Sequence, residues 1–149
     1  MLEVMYQIKE NQKAKAIGVA NFNSNLLSEC KQLGYEDIYC DQIEYHPFLS
    51  QEILLKKMNE MSVIPVAYCP ICRGDVAKDS VIIELSEKYN KTPAQVTLRW
   101  LIQQQSVAIP KTSKLHRMKE NIDIYDFEID TKDMTRINSL ARNQRLVPN

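Results

Sequence analysis

At 149 residues, with 44% apolar and 26% charged side chains, the chain has the size and composition of one globular domain, which speaks against general disorder. Nineteen basic and nineteen acidic residues cancel, so charge gives no support to a nucleic-acid or polyanion partner. No uncharged apolar run reaches the roughly 18 residues of a membrane span, and Met1-Leu2-Glu3-Val4 lacks the blocks of a signal peptide, so no membrane partner and a cytoplasmic location are expected.

In chain order, Leu2, Met5 and Ile8 stand at helical spacing, and Ala16–Val19 is a short apolar strand. Asn23 or Ser24 caps a helix with Leu26, Cys30 and Leu33 on one face, stopped by Gly34. Ile38–Glu44 is a second strand, and Ser50 caps a helix carrying Leu54, Met58 and Met61. Val63–Tyr68 is a third strand, whose Pro65 needs a position without a ladder donor. Asp79 begins a helix through Ile82, Leu85 and Tyr89. Thr92-Pro93-Ala94-Gln95 is a capping box with proline at the first helical position, opening a helix through Leu98 and Leu101. Val107–Ile109 is the fourth strand. Ser113 caps a helix carrying Leu115, Met118 and Ile122, and Asp130 caps a last one with Met134, Ile137 and Ala141.

Four apolar strands, each followed by a helix, read as parallel βα units, either a small doubly wound sheet or a section of a (β/α)8 barrel. In both, sites form beyond the carboxyl ends of the strands. Those ends carry Ala20-Asn21-Phe22-Asn23, Gln42 to Pro47, Tyr68 to Gly74 and Pro110-Lys111-Thr112-Ser113, a polar rim on an apolar scaffold. Between Ser106 and Lys119 stand Lys111, Lys114, Arg117 and Lys119 with no acidic residue. Hydroxyls, cations and a helix N-terminus there suit a phosphate, although a solvated basic face has the same spacing. The three glycines, Gly18, Gly34 and Gly74, are too far apart for a GxGxxG loop or a P-loop. Cys69-Pro70-Ile71-Cys72 is a C-x-x-C without the second pair a zinc knuckle needs. A redox pair should open a helix, whereas this one is expected to run from a strand into a loop, as two small residues at a strand end.

In series, Ile17 to Phe22, Gln42-Ile43-Glu44-Tyr45-His46-Pro47, Ala67-Tyr68-Cys69-Pro70 with Arg73-Gly74, Thr92 to Val96, Leu98-Arg99-Trp100, Ile109-Pro110-Lys111-Thr112 and Arg117 to Asn121 resemble the aldo-keto reductase family. The resemblance covers essentially residues 1–149. It implies the C-terminal half of a (β/α)8 barrel, four parallel βα units plus a C-terminal helix, forming one partial NADP-dependent oxidoreductase domain. By the resemblance, Asn21 and Gln42 would bond the nicotinamide carboxamide, Tyr68 would stack on the nicotinamide, and Cys69 to Ile71 would run beside the pyrophosphate. Lys111, Thr112, Ser113 and Arg117 would hold the 2′-phosphate, and Glu120 and Asn121 would contact adenine. The two cations argue for NADPH (NADP+) over NADH. Ala20 and Cys69 depart from the family's usual serines: Ala20 leaves out one carboxamide hydrogen bond, a loss on the order of 0.5–1.5 kcal/mol, and Cys69 is a weaker donor near the cofactor phosphates.

A whole barrel takes about 250 residues, and the family's catalytic tyrosine, lysine, histidine and aspartate belong to the half that has no counterpart here. His46 is expected to be structural and His116 solvated. The chain is therefore read as the cofactor-binding half of a carbonyl reductase, inactive alone, with no catalytic or metal-ligating residue assigned. The alternative is a non-catalytic nucleotide-binding or self-associating half-barrel remnant. Four strands leave two open edges, which favours self-association or a complementary N-terminal half.

Overall fold

The computed structural model describes residues 1–148. Helix α1 (Leu2–Glu10) is followed by strand β1 (Ile17–Ala20), helix α2 (Ser24–Gln32), strand β2 (Ile38–Glu44), helix α3 (Glu52–Glu60) and strand β3 (Ile64–Tyr68). A 3-10 helix (Cys72–Lys78), helices α4 (Ser80–Tyr89) and α5 (Pro93–Gln103), strand β4 (Val107–Ala108), and helices α6 (Leu115–Ile122) and α7 (Thr131–Asn138) complete the chain. The four strands are ordered β1-β2-β3-β4 and are parallel. The chain divides into two compact units, one of Met1–Ile43 with Gln51–Val66, the other of Glu44–Ser50 with the chain from Ala67 on.

In the first unit, the side chain of Asn23 caps α2 by accepting the N–H groups of Asn25 and Leu26. The buried face of α2 is Leu27 and Cys30, with Leu26 and Leu33 exposed, so the expected apolar face is displaced around the helix. Helix α3 begins after Gln51 in a left-handed conformation, not with Ser50 as its cap, and buries Met58 alone. Helix α1 buries no residue. It is held by Lys9 paired with Asp37 and by the Asp37 N–H donating to the Tyr6 hydroxyl at 3.1 Å.

Strands β1 and β2 pair through an irregularity, with Ile17 opposite Ile38 but Gly18 opposite Cys40. The missing side chain of Gly18 makes this possible, since a Cβ there would lie 2.5 Å from Cys40 Sγ and 3.0 Å from the Cys40 carbonyl oxygen. The sulfur could swing aside; the carbonyl belongs to the strand and cannot.

In the second unit, Ile82, Leu85, Val96, Leu98, Leu101 and Ile137 are buried around Tyr45 and Trp100, whose rings lie 5.2 Å apart. The expected caps at Asp79, Thr92 and Asp130 form, the second as a full capping box with Gln95. Helix α7 is held against α4 by buried Asp133, which accepts the Tyr89 hydroxyl at 2.8 Å. Helix α6 differs from expectation. Lys114 precedes it instead of Ser113, the Thr112 hydroxyl accepts the Lys114 N–H at 3.1 Å, and no residue of the helix is buried.

The segment after β2 is locked to the C-terminal tail. The Glu44 carboxylate, fully buried, accepts the N–H groups of Leu146 at 2.6 Å and Val147 at 3.0 Å and meets His46 Nε2 at 3.1 Å. The Phe48 carbonyl accepts the N–H groups of Arg142 and Gln144, both at 3.1 Å.

Replacing Gly18 with alanine forces the Cβ against the Cys40 carbonyl, and such overpacking costs about 1–3 kcal/mol. The urea midpoint should fall accordingly with an unchanged slope. An unshifted midpoint would show that β1 and β2 can separate without loss.

Candidate functional site

The polar ends of the strands are built by chain geometry as much as by side chains. In the first unit, β1 runs into Asn21, which takes a left-handed conformation (φ 58°) and donates its N–H to the Gln42 carbonyl at 3.0 Å. Asn21 and Gln42 are both exposed. Next to Gln42 and opposite Val19 in the pairing, Asp41 is fully buried. One carboxyl oxygen accepts the Phe22 N–H at 3.4 Å, and the other has no hydrogen-bond partner among the described residues. Burial pushes this carboxyl up to about 6, with the Phe22 N–H pulling weakly the other way.

In the second unit, a cleft of about 810 Å³ opens beyond the ends of β3 and β4. Its wall on the β3 side is Tyr68, Cys69, Pro70, Ile71, Arg73 and Gly74. Cys69, Cys72, Arg73 and Gly74 all have positive φ, at 52°, 50°, 54° and 100°, a run of left-handed backbone of the kind that clusters at functional loops. The start of α5 (Thr92, Pro93, Ala94) forms another side, and Ile109, Lys111 and Thr112 form the β4 side. Helix α6 contributes Arg117, Glu120 and Asn121, spaced to share one face. The Thr92 hydroxyl donates to Glu120 Oε1 at 2.6 Å, which fixes that carboxylate at the cleft edge. A smaller, mostly apolar cavity of about 370 Å³ shares Thr112 and Asn121 with the cleft and is otherwise lined in part by Leu98, Ala108, Met118, Ile122 and Tyr125.

Of the residues expected from sequence, Tyr68, Cys69, Ile71, Lys111, Thr112, Arg117, Glu120 and Asn121 line the one cleft. Ser113 is exposed and is not among the lining residues. Asn21 and Gln42 belong to the first unit and stand at its strand ends. Sequence reasoning placed Arg73 on the rim without giving it a role, and left out Thr92, Pro93 and Ala94 as cleft residues. Arg73-Gly74 was visible as a motif, and the capping box marked a helix start, but neither signal says which way the helix end faces. The C-x-x-C also departs from expectation: Cys72 opens a 3-10 helix instead of continuing into a loop.

The residues of the cleft fit a phosphorylated nucleotide. Arg73, Lys111 and Arg117 supply cationic donors, Thr112 a hydroxyl, Asn121 an amide, and Ile71, Pro93 and Ala94 flat apolar surface. A family model described as the aldo/keto reductase family matches residues 1–142. The glyoxal reductase of Bacillus subtilis (strain 168) is 37% identical over 148 residues, which are 99% of this chain and 52% of that protein. In structure, Gox0644 in its apo form gives a TM-score of 0.95 at 30% identity, covering 99% of this chain and 55% of that one. A Gox0644 variant in complex with NADPH gives 0.90 at 31% identity, over 94% and 52% respectively. The chain spans about half the length of the curated relatives it matches.

The buried Asp41 has a signed consequence for stability. Its pKa is raised in the folded chain, so between pH 3.8 and about 6 the native state holds the proton more tightly than the unfolded state does, and stability falls as pH rises. At pH 7 the penalty is complete. Asp41→Asn should therefore stabilise the chain at pH 7, by up to about 3 kcal/mol, and do little near pH 4. A destabilised Asn variant at neutral pH would show that the charge has a use in the fold.

Proposed function

As the chain belongs to the aldo/keto reductase family, we propose that it is the cofactor-binding half of an NADPH-dependent carbonyl reductase, with residues 1–149 acting as one partial domain. The observation that carries this reading is the cleft of the second unit, where Lys111, Thr112, Arg117, Glu120 and Asn121 meet the Tyr68–Ile71 wall. NADPH, when bound, supplies the hydride that reduces a carbonyl to an alcohol. The chain's own residues bind and orient. Lys111 and Arg117 neutralise the 2′-phosphate, with Thr112 and Ser113 as hydroxyl partners. Glu120, anchored by Thr92, and Asn121 receive the adenine. Cys69 to Ile71 pass the pyrophosphate, and Tyr68 offers its ring to the nicotinamide. Asn21 and Gln42 bond the carboxamide, with Ala20 leaving out one bond. No residue of this chain is assigned as the proton donor that hydride transfer requires, so the chain alone is read as inactive. No helix among the described residues is long and apolar enough to cross a membrane. All four cysteines are free, which suits a cytoplasmic location.

NADPH should bind more tightly than NADH, and added salt should narrow the difference. Arg117→Ala should weaken NADPH by about tenfold, the value of one charge-assisted bond, and leave NADH nearly unchanged. Fluorescence titration decides this: equal affinities for the two cofactors reject the 2′-phosphate assignment.

A second reading, a self-associating half-barrel remnant, is favoured by one feature of the second unit. Leu115, Met118 and Ile122 of α6 are 68%, 48% and 71% exposed, and Val107 and Ile109 at β4 are 47% and 40% exposed. An exposed apolar helix and a short strand with exposed apolar side chains are expected to pair, either with a second copy or with a complementary N-terminal half. Light scattering should give a dimer or larger species, with a melting temperature that rises with concentration. A monomer with a concentration-independent transition rejects the self-association.

A further inference from the structure

The turn after β3 holds two thiols for which the cofactor reading has only half a use. Cys69 and Cys72 are its two ends, and the Cys72 N–H donates to the Cys69 carbonyl at 2.8 Å. A turn closed in this way keeps its end Cα atoms within about 7 Å, and a disulfide asks for Cα atoms about 4.4–6.8 Å apart. The turn thus brings the two residues within reach of disulfide spacing, while both cysteines are free. The thiols differ in access. Cys69 is half-buried and lines the cleft, whereas Cys72 is fully buried at the start of the 3-10 helix and its sulfur accepts the Gln144 amide at 3.7 Å. Burial pushes the Cys72 thiol up to about 11, Asp75 adds to the shift, and Cys69 is near enough to contribute. A protonated, buried thiol is inert to outside reagents, so the chemistry has to begin at Cys69. Once joined, a sulfur as basic as that of Cys72 is a poor leaving group, which favours the closed bond.

We propose that Cys69 and Cys72 form a reversible dithiol–disulfide site in the wall of the cleft, closed by exchange with a low-molecular-weight disulfide of the glutathione type. In the first step the Cys69 thiolate attacks one sulfur of the disulfide. Its S–S bond breaks, a mixed disulfide forms on Cys69, and one glutathione leaves as the thiolate. In the second step Cys72 gives up its proton and attacks the Cys69 sulfur. The mixed disulfide breaks and the second glutathione leaves. Two protein thiols are oxidised to one disulfide, one glutathione disulfide is reduced to two thiols, and the two protons end on glutathione. Closure withdraws the Cys72 sulfur from Gln144 and removes the Cys69 S–H donor from the cleft. Cys30 is buried and stands on no such turn, so it cannot substitute.

The test treats the native chain with glutathione disulfide and reads intact mass and tryptic peptides. The expected product has lost two hydrogens, carries the bond between Cys69 and Cys72, retains no glutathione, and returns to the starting mass with dithiothreitol. In Cys72→Ser the first step should stop at a stable glutathione adduct on Cys69, and in Cys69→Ser Cys72 should stay unmodified. A persistent adduct on Cys69 of the native chain, modification confined to Cys30 or Cys40, or no reaction overturns the proposal. The native-chain measurement stands even if a serine variant misfolds. One further arm rests on the cofactor reading: saturating NADPH should slow the first step at least severalfold by covering Cys69. A disulfide that closes at the same rate with NADPH present keeps the dithiol site and rejects the placement of the cofactor beside it.

Discussion

The second unit depends on a carboxylate with no access to water. Taking the charge of Glu44 out of solvent costs several kcal/mol. The cost is offset by charge-assisted bonds from two backbone N–H groups, at Leu146 and Val147, and from His46, each worth about 1.5–3 kcal/mol. Burial alone would raise the Glu44 carboxyl, but these donors hold it below its ordinary value, so it remains an ion and a strong acceptor. The same burial keeps His46 neutral, and its pKa is lowered. With Glu44 charged, the ring donates from Nε2, leaving Nδ1 without a partner among the described residues. An arrangement so one-sided tolerates no exchange of roles. It fixes the end of β2 to a tail about a hundred positions away.

From that latch the constraint passes along the tail to the cleft. The Phe48 carbonyl takes the Arg142 and Gln144 N–H groups, and the Arg142 guanidinium lies 3.8 Å over the Phe48 ring. Gln144, held by its backbone, presents its amide to Cys72 at the foot of the left-handed turn. Left-handed non-glycine residues cost about 1–2 kcal/mol each, and Cys69, Cys72 and Arg73 keep that conformation among neighbours that are themselves tied down. The wall that meets the cofactor in the proposed reading is thus held by its own turn, Cys72 N–H to Cys69 carbonyl and Gly74 N–H to Ile71 carbonyl, and tied to the tail through Gln144.

Local chemistry was legible in the sequence, and distant chemistry was not. The capping box at Thr92 and the caps at Asn23, Asp79 and Asp130 involve residues two or three apart, and each forms. The cap of α6 was misread because Thr112 and Ser113 are equivalent by type. Only the folded chain shows that the Thr112 hydroxyl turns to the Lys114 N–H. The face of α2 slipped because Leu26 and Leu27 are adjacent, and period alone cannot choose between them. Most of the candidate site was readable because motifs at three strand ends and on α6 stand in the family's order. The part missed, the first turn of α5, enters the cleft through the direction of the chain after a turn. The Glu44 latch left no trace, since nothing near Glu44 in sequence announces two backbone donors at Leu146 and Val147.

Helix α6 joins the two functional readings. It has eight residues, none buried, and no side-chain cap, so by itself it is a weakly held element. One side gives Arg117, Glu120 and Asn121 to the cleft, and the other turns Leu115, Met118 and Ile122 to solvent. A phosphate on the first side and an apolar partner on the second would order the same eight residues. Whichever binds first takes on the entropy of ordering the helix, and the other binds without that cost. Linkage makes the effect reciprocal: the factor by which a partner tightens the cofactor is the factor by which the cofactor tightens the partner. Cofactor affinity and association are on this view two measurements of the same helix.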